Sequence, residues 1–192
     1  MRVIAGTARR ILLSAPKETV TRPTSDRAKE SLFNILAARI FDARFLDLFC
    51  GSGAIGIEAL SRGARLATFV DHSRFSYTVV NENLIKTKMH QSEVQIMRMD
   101  VSAAIRQLDW EKRQYDIIFL DPPYDMRDIY LETLQRLAAT NLLAADGLLI
   151  AETDNRMGKT FAASDFRLPF VQTDMRMCGQ TCFLFFEWGD AE

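Results

Sequence analysis

The stretch Phe45-Leu46-Asp47-Leu48-Phe49-Cys50-Gly51-Ser52-Gly53-Ala54-Ile55-Gly56 decides the fold. Its first six residues are apolar apart from Asp47, as in a strand buried on both faces. Gly51, Gly53 and Gly56 then fit the G-x-G-x-x-G pattern of a strand-to-helix turn, where glycine allows a tight bend and close approach of a ligand to the backbone. A helix over 54–62 follows and closes at Gly63. The next strand, 66–71, ends in Asp71, twenty residues beyond Gly51, the spacing at which a carboxylate meets a ribose. These residues predict a nucleoside at the carboxyl edge of the first strand. An adenine dinucleotide and S-adenosylmethionine both satisfy that reading.

Further along the chain the alternation repeats. Apolar strand cores at 94–99, 115–121 and 148–152 are separated by helical segments at 73–88, 101–108 and 129–139. The tail adds two β-like runs, 166–177 and 181–188, broken at Cys178-Gly179-Gln180. The pattern predicts an α/β, Rossmann-like protein: a mostly parallel seven-stranded sheet with helices on both faces and a C-terminal antiparallel hairpin at one edge. Upstream, two short apolar runs flank Gly6-Thr7-Ala8-Arg9 as a small β-hairpin. A polar stretch leads to a helix on which Ala28, Leu32, Ile35, Leu36 and Ile40 recur at helical spacing, with Thr24, Ser25 or Asp26 able to cap it. Residues 1–25 are therefore expected to form a basic N-terminal extension on a domain spanning 26–192.

Composition narrows the function classes. The chain has 192 residues, 48% hydrophobic and 26% charged, ordinary for a globular protein able to bury its own core. No apolar run approaches the ~18–20 residues that cross a bilayer. Three cysteines without a Cys-x-x-Cys pair, and only two histidines, argue against a structural metal and for a reducing, cytoplasmic setting. Charge is uneven: residues 1–44 hold nine Lys/Arg and four Asp/Glu, whereas the rest hold fifteen and twenty-one. A basic arm on an acidic body points to a polyanionic partner at one end.

Asp121-Pro122-Pro123-Tyr124 separates the two cofactors. It leaves the fourth strand, beside the first, at the switch point where such sheets bind ligands. Two consecutive prolines lack backbone N–H groups, so the loop presents carbonyls and a carboxylate. Such a loop suits an exocyclic amino group on a planar base: Asp121 and the Pro122 carbonyl accept, and Tyr124 stacks. Hydride transfer has no use for it.

Asp47-Leu-Phe-Cys-Gly-Ser-Gly53 together with Asp121-Pro-Pro-Tyr124 resembles the class I S-adenosylmethionine-dependent methyltransferases that modify amino nitrogens. Arg2-Val-Ile-Ala-Gly6, Arg22-Pro-Thr-Ser-Asp-Arg27, Leu32-Phe-Asn-Ile-Leu36 and Gly56-Ile-Glu-Ala-Leu-Ser-Arg-Gly63 resemble the RsmD family, whose members methylate guanine N2 in small-subunit (16S) ribosomal RNA. The match runs from Arg2 to the tail. It departs at Arg9-Arg10, where family members often carry Gly-Arg.

The resemblance implies S-adenosylmethionine as methyl donor. Phe49, Cys50, Gly51, Ser52 and Gly53 would hold its amino-acid end, with Asp47 near the ammonium. Asp71 would take the ribose hydroxyls, and His72 or Ser73 would flank the adenine. Asp100 would accept from the adenine amino group, with Val101 adding a backbone N–H; Asp100 can equally cap the helix that begins there. Asp121, Pro122, Pro123 and Tyr124 would place the target base. Arg2, Arg9, Arg10, Lys17, Arg22 and Arg27 would meet RNA phosphates. The expected partner is ribosomal RNA in a small-subunit particle, met by a monomer without metal or membrane. The competing readings are an amino-methyltransferase of DNA or another RNA, an NAD-dependent oxidoreductase, and an RNA-binding protein without activity.

Overall fold

Apolar runs such as Phe45–Leu48 form strands because both of their faces are covered. The computed structural model describes residues 1–15, 24–122, 127–162 and 168–189. Within them lie strands β1 (Arg44–Leu48), β2 (Leu66–Asp71), β3 (Glu93–Arg98), β4 (Tyr115–Leu120), β5 (Leu143–Asp154), β6 (Phe170–Cys178) and β7 (Thr181–Trp188). They form one sheet in the order β3-β2-β1-β4-β5-β7-β6. The first five strands pair parallel, and β7 pairs antiparallel with both β5 and β6. The expected terminal hairpin is thus present, with its second strand inserted between β5 and its first. The strand order reverses between β1 and β4, which opens a crevice at their carboxyl ends.

Helices α1 (Asp26–Ile35), α2 (Ala54–Ser61) and α3 (Arg74–Thr87) cover one face with Leu32, Phe33, Ile57 and Val80 against Phe45, Phe69, Ile117 and Phe119. Helices α4 (Val101–Trp110) and α5 (Arg127–Ala138) cover the other with Ala104, Ile105, Leu134 and Leu137 against Leu46, Leu48, Ile118 and Leu120. The sequence reading missed α6 (Asn155–Ala162) and stopped β5 short at both ends. The Asp154 carboxylate caps α6 by accepting from Met157 N–H at 2.6 Å, a single side chain that periodicity does not register.

The N-terminal segment makes the expected hairpin contacts: Val3 N–H donates to Ile11 C=O at 3.0 Å, and Arg10 N–H to Val3 C=O at 2.8 Å. Val3, Ala8 and Leu13 are buried in the same core as α1 and α2. Gly6, at φ +81°, lies against α2 so closely that a Cβ would sit 1.7 Å from Ser61 C=O. The motif's Glu58 and Ser61 explain themselves here. Glu58 accepts from Ile4 N–H (2.7 Å) and Ala5 N–H (3.0 Å), while Ser61 Oγ donates to Ala5 C=O at 2.6 Å. Arg10, the second residue of the Arg9-Arg10 pair, holds φ +73°, a region glycine enters freely and arginine does not.

Candidate active site

Side chains alternate along a strand, so the face on which each carboxylate lies follows from its neighbours. Phe45, Phe69, Phe119 and Ile150 belong to the α1–α3 face. Two residues further along β1, β2, β4 and β5 come Asp47, Asp71, Asp121 and Glu152. Four adjacent strands therefore set four carboxyl groups on one face at the carboxyl edge. Register puts Asp121 beside Glu152, since Leu120 pairs with Ala151.

The loop over the crevice is bent at three points. Phe49, Gly51 and Gly53 have φ of +62°, +53° and +73°. For Phe49 this is a strained conformation, of a kind that clusters at ligand sites and costs roughly 1–3 kcal/mol. Cβ positions separate the glycines' duties. A Cβ on Gly51 would meet nothing within 4 Å, which leaves open space over the loop. One on Gly56 would lie 2.3 Å from the Phe69 ring, so that glycine serves helix–strand packing.

Asp71 ties the loop to β2, accepting from Gly51 N–H at 3.0 Å and from Ser73 N–H at 2.8 Å. A carboxylate has about four lone-pair sites, so two remain for ribose hydroxyls. Ser73 caps α3, accepting from Phe75 and Ser76 N–H, and the His72 side chain is 81% exposed beside Asp71. Asp100 caps α4, accepting from Ser102 N–H at 2.8 Å, and Val101 is buried behind it. The cap was the competing reading of Asp100, and it occupies Oδ1. Burial pushes the Cys50 thiol well up, making it a neutral packing group.

Asp47 is buried and accepts from Gly56 N–H at 2.9 Å. Burial pushes its pKa up to about 7, helped by the charges of Asp71 and Glu152. Asp121 is half-buried, and burial with the charges of Glu152 and Asp47 pushes it well above the carboxylate range. Pro122 is buried next to it. Pro123 and Tyr124 lie outside the described residues, as do Lys17 and Arg22. Arg2, Arg9, Arg10 and Arg27 are all exposed, and Arg2 pairs with Asp26 at 3.0 Å.

Sequence reasoning missed two residues at this edge. Glu152 is buried, and burial lifts its pKa to about 7. The clue was its place at the end of the fifth strand, matching Asp121 on the fourth. Asn83, buried on α3, accepts from Ser14 N–H (2.8 Å) and donates to the carbonyls of Ser14 and Ser52, each at 2.9 Å. It joins the N-terminal segment to the glycine loop, and nothing in its local sequence announces that.

Over residues 1–187 the chain matches the family described as Conserved hypothetical protein 95. Ribosomal RNA small subunit methyltransferase D of Escherichia coli (strain K12) is 37% identical over 158 residues, covering 82% of this chain and 77% of that protein. The chain belongs to this family. It is the RsmD family that the motifs resemble, and its members here are methyltransferases. YlbH of Bacillus subtilis (strain 168) is 38% identical over 157 residues, 82% of this chain and 84% of YlbH. The solved structure of yhhF from Escherichia coli superposes with a TM-score of 0.81 at 29% identity, covering 100% of this chain and 99% of that one.

The residues present fit S-adenosylmethionine, the methyl donor of this enzyme class. Three of the four edge carboxyls hold protons more tightly than usual because burial and mutual repulsion disfavour their charge. A ligand with a fixed sulfonium and an ammonium relieves that repulsion. The open side of Gly51 leaves room for it, and Asp71 keeps acceptor capacity for its ribose. Among the described residues no His, Cys, Asp and Glu group is arranged to hold a metal ion, and no helix is long and apolar enough to cross a membrane.

Proposed function

We propose that this methyltransferase transfers a methyl group from S-adenosylmethionine to the exocyclic N2 of a guanine in small-subunit ribosomal RNA. The observation that carries this reading is the place of Asp121: on the last turn out of β4, beside β1 and the glycine loop, with buried Pro122 behind it. The family's small-subunit methyltransferases support the choice of RNA, and the motif resemblance supports guanine N2.

S-adenosylmethionine supplies an electrophilic methyl group, so the chain's own task is placement. The Asp121 carboxyl and the Pro122 carbonyl accept the two N2 hydrogens. That turns the nitrogen lone pair out of the ring plane and favours the positive charge that grows there. A carboxyl with a raised proton affinity is also suited to take the surplus proton afterwards. The base must leave its stack to reach the edge, which favours an RNA loop. Exposed Arg2, Arg9, Arg10 and Arg27 supply charge for phosphates on the N-terminal segment and the start of α1. The enzyme acts in this proposal as a monomer on an assembled particle, in the cytoplasm.

The test is transfer of labelled methyl to small-subunit RNA and particles by the wild type and by Asp121→Ala, with nucleosides identified after digestion. Label is expected as N2-methylguanosine, reduced about 10²–10³-fold in the variant. Label on adenine or cytosine overturns the base, and no label on any RNA overturns the substrate class.

A further inference from the structure

The Glu152 side chain has no exposure to solvent, and its Oε1 has no hydrogen-bond partner among the described residues. The rest of the residue is held firmly. The Thr24 hydroxyl donates to Oε2 at 2.6 Å, the Tyr130 hydroxyl donates to the Glu152 carbonyl, and the Thr181 hydroxyl approaches the same carboxyl. Thr24 is thereby drawn away from capping α1, a role Ser25 fills by accepting from Ala28 N–H at 3.1 Å. Two hydroxyls thus hold the carboxyl group and a third holds the main-chain carbonyl, leaving one carboxyl oxygen without a donor among the described residues, on the same face as Asp121 and one strand over. A buried acceptor without a donor is costly and asks for an explanation. A base entering beside Asp121 brings a donor to it by parting the packing that covers the carboxyl.

We propose that Glu152 Oε1 accepts the N1–H of the target guanine and so selects guanine over bases whose ring nitrogen at that place is an acceptor. This rests on the guanine N2 reading above. On guanine the N1–H lies next to the amino group, so three donors in a row meet Asp121, the Pro122 carbonyl and Glu152. Adenine and 2-aminopurine carry a bare ring nitrogen there, and its lone pair would face a carboxylate. Sites built around a hydrogen bond reject analogues lacking it far more strongly than apolar pockets reject a missing methylene.

The experiment replaces the guanine that the wild type methylates with 2-aminopurine, which keeps the 2-amino group but has no hydrogen on N1. The wild type is expected to methylate guanine at least about 10-fold faster, the ratio set by ~1.4 kcal/mol. In Glu152→Gln the Thr24 hydroxyl holds the amide oxygen, so the amide NH₂ takes the place of Oε1. A donor then faces the base, and the preference is expected to fall or invert toward 2-aminopurine. Cofactor binding and the melting temperature of the variant show whether it is folded. Equal rates on the two bases with wild-type enzyme overturn the proposal without any variant. So does a folded Glu152→Gln that keeps the wild-type ratio. Failure of the wild type to make N2-methylguanosine at all instead removes the guanine reading and takes this proposal with it.

Discussion

Lys29 Nζ lies 3.4 Å from Glu58 Oε2, with both side chains essentially out of contact with solvent. Lys29 also donates to Arg2 C=O at 2.6 Å, and Glu58 accepts from Ile4, Ala5 and Arg62. One buried ion pair therefore pins the N-terminal segment between α1 and α2. Burial alone lowers the Lys29 pKa, and the Glu58 charge partly restores it. Breaking such a pair from one side is strongly destabilising, so Glu58→Ala is expected to cost about 3–5 kcal/mol. Urea denaturation measures this, and a loss below about 1 kcal/mol would show that the pair is not what holds the segment.

Arg10 tests the segment's other duty. Replacing it with glycine removes the strain of φ +73° and should stabilise the protein by about 1 kcal/mol. It also removes one exposed charge. RNA affinity should fall, and the slope of log affinity against log salt should shrink by ~0.7–0.9. Gain of stability with unchanged RNA binding would take Arg10 off the RNA surface. Deleting the whole segment is a poorer test, because Val3, Ala8 and Leu13 belong to the core.

Asp47 predicts a pH-dependent response. Its folded pKa, about 7, exceeds the ordinary aspartate value, so the folded state binds the proton more tightly than the unfolded chain does. Its stability penalty is absent below about pH 4, grows as pH rises from there, and levels off above pH 7. Asp47→Asn removes the penalty. The variant should melt higher than wild type at pH 8, by up to roughly 4 kcal/mol of stability, and nearly the same at pH 4. It should also bind S-adenosylmethionine more weakly if Asp47 faces the ammonium. Paired melting curves decide the first point, since a pH-independent difference contradicts it, and calorimetry decides the second.

The glycine motif separates into two kinds of residue. Gly56→Ala places a methyl 2.3 Å from the Phe69 ring and should destabilise by about 1–3 kcal/mol through overpacking. Gly51→Ala meets no neighbour and carries only the backbone cost of φ +53°, about 1 kcal/mol, but its methyl enters the open side of the loop. Chemical denaturation with cofactor titration should therefore show Gly56→Ala failing mainly in stability and Gly51→Ala mainly in binding. The reverse pattern would mean that the open space over Gly51 is not where the cofactor lies.

Much of this was legible along the chain. The strand-to-helix turn at Gly51–Gly53, the parallel order implied by both-face burial, and the strand-end carboxylates Asp71 and Asp121 are local patterns, readable because strand and helix periods and turn chemistry act over a few residues. The long β5, the capped α6 and the role of Thr24 were not readable, since each depends on a partner distant in sequence. Thr24 looks like a helix cap until Glu152 is brought beside it, 128 positions away. Asn83 looks like a surface residue of α3 until Ser14 and Ser52 close on it. The sequence by itself determined the fold class and set the glycine loop and Asp121 at the carboxyl edge, where cofactor and base are proposed to bind. Only the tertiary structure decided that four carboxyls share one face and that Glu152 keeps an oxygen next to Asp121 that no described residue claims. Burial and charge coupling are properties of what surrounds a group in space, and a chain of residue types does not carry that information locally.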